Sequence, residues 1–169
     1  MGYTHYWTPK KTSAKKFKEF SDTCKKLHDN LPEYSESAGG YYNDEKIKIG
    51  NGAGENNKPE FSKHTVCFNG VGKNSHETFH VGLTKLESDF CKTARKPYDL
   101  LVVACLLAAV DFLDYTFTSD GFTDYYDERN SVKIHECTDL LPALNFYNEV
   151  MGTDYTEEHL WKIRKRCKS

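Results

Sequence analysis

The chain has 169 residues, enough for one domain with a real core, and its 11 Tyr, 10 Phe and 2 Trp argue against disorder. A formal net charge of −2 gives no global attraction to bulk nucleic acid or to a membrane surface. Charge is nevertheless uneven: residues 10–26 hold seven Lys against Glu19 and Asp22, a balance of +5, whereas residues 111–139 hold eight acids against Arg129 and Lys133, a balance of −6.

In chain order, Tyr3, His5 and Trp7 alternate with Thr4, Tyr6 and Thr8, the period-two signature of a strand, and Pro9 ends it. Thr12 or Ser13 then caps a helix with the apolar stripe Ala14, Phe17, Phe20, Cys24, Leu27 and Leu31, closed by Pro32. Residues 35–60 are rich in Gly, Asn, Ser and Glu and read as loop, interrupted by a short strand over 46–49. Strands are predicted over 65–69 and 78–83, joined by a glycine-bearing turn over 70–75. Pro97 is taken to open a helix that runs through Leu113 and is apolar on nearly every face, which makes it the central buried helix. Another strand covers 115–118, and Ser119-Asp120-Gly121 is a turn. Thr138 or Asp139 caps a helix that reaches Met151 and stops at Gly152, and the basic run 162–168 suits the C-terminus of a last helix. The fold class is therefore α+β over a single domain, 1–169: a mostly antiparallel sheet of about five strands with helices packed on it.

The first long apolar run, 100–110, comes too late for an export signal and is too short to span a bilayer. Tyr6 stands where a myristoylation signal needs Ser or Thr. A cytoplasmic setting is expected, with Cys24, Cys67, Cys91, Cys105, Cys137 and Cys167 as scattered free thiols.

The segment best suited to a ligand is 90–99. With Pro97 as first helical residue the cap position falls on Lys96, whose side chain cannot accept from the helix amides. Free N–H groups beside Lys92, Arg95 and Lys96 would suit an anion, Arg95 bidentately, Lys92 as a point charge and Thr93 through its hydroxyl. The bland alternative is that Asp99 folds back to cap the helix while the cations are solvated. Tyr3, His5 and Trp7 on one strand face would flank a nucleobase, although such a stripe is also the ordinary inner face of a sheet. Asp120 would reach a ribose hydroxyl, or simply make a turn.

His76-Glu77-Thr78-Phe79-His80 matches the H-E-x-x-H pattern, which binds zinc when it lies on a helix. Here the preceding Gly70, Gly72 and Asn74 and the following Val81-Gly82 point to a strand. On a strand, residues four apart are about 13 Å from one another, too far to share one metal. No metal site and no cofactor are expected. His76 and Glu77 would otherwise form an acid–base pair, weakened because strand neighbours point to opposite faces.

Met1-Gly2-Tyr3-Thr4-His5-Tyr6-Trp7, Phe68-Asn69-Gly70, His76-Glu77-Thr78-Phe79, the block from Phe90 to Asp99 and Ser119-Asp120-Gly121 together resemble a family of small phage-encoded proteins. The similarity runs from residue 1 to about 121, though residues 10–60 match in layout more than in letters. It implies a bacterial host cytoplasm and lends a setting rather than an activity. Small phage proteins often counter host defence, and several defence systems signal through nucleotides, so the analogy is to a protein that sequesters such a signal.

The leading expectation is a binding protein for a phosphorylated, nucleotide-like small molecule: Lys92, Thr93, Arg95 and Lys96 on phosphate, Tyr3, His5 and Trp7 beside a base, Asp120 on sugar. One alternative is a nucleotide-acting hydrolase using His76 and Glu77. Another is an inhibitor that binds a host defence protein through its opposed charge patches. The sequence leaves room for a homo-oligomer.

Overall fold

A computed structural model describes residues 2–34 and 44–168; the part of the predicted loop over 35–43 lies outside the described residues. The first strand, β1 (Thr4–Thr8), follows the predicted alternation, and α1 (Ala14–Asp29) begins after Ser13, whose Oγ accepts from Lys16 N–H at 3.2 Å. Its stripe of Phe17, Phe20, Cys24 and Leu27 is buried.

Short strands β2 (Ile49–Gly50) and β3 (Glu60–Phe61) lead into the predicted hairpin of β4 (Thr65–Gly70) and β5 (Phe79–Gly82). There Phe68 stands opposite Phe79 and Thr65 opposite Gly82. Next come β6 (Asp89–Lys92), α2 (Asp99–Leu113) and β7 (Thr116–Ser119). The hairpin of β8 (Thr123–Asp127) and β9 (Val132–Glu136) precedes α3 (Leu141–Met151) and α4 (Glu157–Cys167).

The protein is thus α+β, with four helices and nine strands among the described residues. All pairing between the strands is antiparallel, in three sheets: β6-β1-β7, then β4 with β2, β3 and β5, then β8-β9. Helix α2 is the central helix: all of it except Asp111 and Phe112 is buried, because an all-apolar surface is stable only when covered on every side. It packs against α1, α3 and β7, while α4 lies on β7. Trp7 of β1 meets Phe79 of β5 at 5.3 Å between ring centroids and so joins two sheets through one core.

Three details differ from expectation. Helix α2 starts at Asp99, and its cap position is Tyr98 rather than Lys96, because Pro97 and Tyr98 belong to a preceding turn. Strand β6 and the β8–β9 hairpin were not foreseen. Thr138 and Asp139 form a 3₁₀ turn ahead of α3 rather than its cap. Gly152 does stop α3, with a left-handed φ of +68°. No helix among the described residues is long and apolar enough to cross a membrane. All six cysteines are free, four of them buried.

Candidate functional site

The two segments singled out for ligand binding lie side by side. Strands β1 and β6 pair with Thr4 opposite Lys92, and Tyr3 O then accepts from Thr93 N–H at 3.0 Å and Ala94 N–H at 3.2 Å. The chain reverses through Ala94 and Arg95, both at positive φ (52° and 59°), closed by Lys96 N–H to Thr93 O at 3.1 Å. Two successive left-handed residues are the signature of a type I′ turn, and without glycine each costs about 1–2 kcal/mol.

That turn carries Thr93 inward and returns the chain to α2, whose first residue supplies the hub. Asp99 Oδ1 accepts from Thr93 Oγ1 at 2.5 Å and from His5 Nε2 at 2.6 Å; all three residues are buried. Asp99 therefore does not cap its own helix. With Nε2–H committed to Asp99, His5 Nδ1 is enclosed and has no hydrogen-bond partner among the described residues.

Tyr3 lies edge-on to His5 at 5.1 Å, and the Arg95 guanidinium sits over its ring at 4.2 Å. Arg95 Nη2 donates to Asp139 at 3.0 Å, while its Nε is shielded and has no acceptor among the described residues. Tyr3 Oη is also enclosed; Ser119 is near enough to favour its ionised form, but the two hydroxyls do not meet hydrogen-bond geometry. Burial first, then the charges of Asp99 and Asp139, push the Tyr3 phenol far above its ordinary range, so it stays neutral. Residue 121 must be small here, since a Cβ on Gly121 would stand 2.5 Å from Tyr3 Oη.

The other expected ligand groups are spread around this cluster. Trp7 is buried in the core against Phe79, so its face is not open to a base. Asp120 is held by the backbone: its Oδ2 accepts from Thr4 N–H at 2.9 Å, and its own N–H donates to Thr4 O at 3.0 Å. Lys96 Nζ donates to Lys73 O, and the half-buried Lys92 stem lies against Gly2.

His76 is held through its own backbone, and Glu77 holds the backbone of Lys92. Asn69 clamps His76 through N–H to Oδ1 at 3.0 Å and Nδ2 to O at 2.9 Å. Glu77 Oε2 accepts from Lys92 N–H at 2.6 Å, and its carbonyl from Tyr98 Oη at 2.7 Å. His76 is exposed on irregular backbone and His80 lies on β5, so the H-E-x-x-H letters do not form a helical zinc motif. Among the described residues no three His, Cys, Asp or Glu are grouped as metal ligands.

Acids of the second charge patch pair with Lys10 of the first and with arginines of α4. Asp114 pairs with Lys10 at 2.9 Å and Arg166 at 2.6 Å, and Asp124 with Arg164 at 2.6 Å. Sequence reasoning missed Asp99 as the hub and Asp139 as the partner of Arg95; Asp99 was visible as the acid three residues beyond the cationic block. Comparison of the chain with family models, with curated proteins and with solved structures finds no match.

Proposed function

We propose that the protein is a phage-type binding protein for a phosphorylated, nucleotide-like small molecule, and that it acts by sequestering a host defence signal. The observation that carries this reading is the convergence of Tyr3, His5, Thr93, Arg95 and Asp99 around one strained turn. Tyr3 Oη, His5 Nδ1 and Arg95 Nε are left there without hydrogen-bond partners among the described residues. Buried polar groups are ordinarily satisfied, and strained backbone persists where the surroundings impose it, often at ligand clamps.

Asp139 is the internal stand-in for the ligand anion. A phosphate oxygen would replace its carboxylate on Arg95, a residue suited to planar, bidentate recognition. The neutral Tyr3 phenol and the His5 imidazole would then meet polar ligand atoms. Lys92 and Lys96, at either end of the turn, would add charge.

The test is mass spectrometry of small molecules released by denaturing protein purified from bacteria with active nucleotide signalling. A stoichiometric, intact phosphorylated nucleotide is expected from the native chain and none from Arg95→Ala, whose circular dichroism should match the native protein. Release of a cleaved product would replace sequestration by hydrolysis. An empty native protein, or equal loading of folded Arg95→Ala, would overturn the reading.

A further inference from the structure

Between the β8–β9 hairpin and α4 lies a separate concavity of about 380 Å³, sharing no residue with the Arg95 cluster. Its size falls in the ordinary range of small-molecule sites, roughly 300–1,000 Å³. Four cations line it: Lys133 from β9, Arg164 and Lys165 from α4, and Lys168 at the helix end. Trp161 forms an apolar wall, backed by Phe122 at 5.1 Å and met edge-on by His135 at 5.6 Å. Trp161, Arg164, Lys165 and Lys168 follow steps of three and four, which puts them on one helix face.

The single acid of the lining is already used. Asp124 accepts from His135 Nδ1 at 2.5 Å and Arg164 Nη1 at 2.6 Å. The His135 hydrogen bond first, and Arg164 with it, hold its carboxyl below the usual range. Asp124 and Arg164 cancel, so Lys133, Lys165 and Lys168 remain, none with a carboxylate partner among the described residues. Arg164 also keeps a shielded Nε–H without an acceptor among the described residues. The C-terminal dipole of α4 offsets only about half a unit charge, against three ammonium groups. The concavity is therefore positive and one-sided.

We propose that this pocket binds a small phosphomonoester with an aromatic body, its phosphate on Lys133, Lys165 and Lys168 and its ring edge against Trp161. The proposal goes beyond the reading of the Arg95 cluster and does not depend on it. Adenosine monophosphate, adenosine and inorganic phosphate serve as probes, titrated into isotope-labelled full-length chain. The two Trp give two indole N–H resonances, and Trp161→Phe identifies the one in the pocket.

Adenosine monophosphate should shift the Trp161 resonance saturably and adenosine should not. Lys133→Ala combined with Lys168→Ala should weaken binding by about tenfold, and Arg95→Ala should leave it unchanged. No saturable shift, an equal response to adenosine, or indifference to the double variant would overturn the site. Inorganic phosphate binding as tightly as the nucleotide would remove Trp161 from recognition. Loss of binding in Arg95→Ala would move the ligand to the other cluster.

Discussion

Asp99 presents one buried carboxylate oxygen, Oδ1, to two donors from different parts of the chain, Thr93 Oγ1 and His5 Nε2. Both donors belong to fully enclosed residues, so neither can turn to water when the acceptor is removed. A typical hydrogen bond contributes about 1 kcal/mol net, whereas a stranded buried polar group costs about 1–3 kcal/mol. Asp99→Ala also removes a first-turn negative charge from α2, where the helix dipole favours it. The variant should lose about 2–4 kcal/mol in urea unfolding. Asp99→Asn, which keeps an acceptor oxygen, should lose roughly half of that. A loss below about 1 kcal/mol in Asp99→Ala would show that the cluster relaxes and that its polar atoms are less confined than their burial implies.

Helix α1 displays the same economy at its start, where Ser13 in extended conformation (ψ 154°) turns its Oγ to Lys16 N–H. Ser13→Ala removes one of the few satisfied orphan donors of that helix and should cost about 1 kcal/mol. The urea midpoint should fall with an unchanged slope; an unchanged midpoint would mean that water replaces the cap. Elements of this kind were legible because their signals are local: an N-cap, a stripe in steps of three and four, a glycine stop at Gly152. The β4–β5 hairpin was legible through its glycines and alternation. Strand β6 was not, because Lys92 and Thr93 look like ligand chemistry until β1 is laid beside them. The β8–β9 hairpin hid in an acidic, largely exposed stretch, and Trp161, whose ring meets His135, arrives 25 residues after β9 ends at Glu136. The pairing of Tyr3 with Arg95 and of Arg95 with Asp139 is likewise a tertiary fact with no local signature.

At the scale of the whole molecule the interior is rich in weak acids kept neutral by burial. Burial pushes the Cys137 thiol up to about 11 and the Tyr115 phenol up to about 12. The phenols of Tyr3, Tyr98 and Tyr147 and the thiols of Cys24 and Cys91 are raised further, in each case with desolvation as the main cause. In the unfolded chain these groups ionise at their ordinary values, 9.0 for thiols and 10.0 for phenols. Below pH 9 both states hold the protons and the full stability is present. Above it the unfolded state releases protons that the folded state retains, and stability falls with rising pH. Each group lagging in this way removes about 1.4 kcal/mol per pH unit. With seven such groups, one unit beyond about pH 10 removes an amount comparable to a typical total of 5–15 kcal/mol. The protein should therefore unfold cooperatively between about pH 10 and 12, buried tyrosinate absorbance rising as helical circular dichroism is lost. Burial that holds these protons makes them accessible only through global opening. Gradual ionisation of the same tyrosines at constant circular dichroism would mean that water reaches the core locally, with the Tyr3 cluster the first place to look for its entry.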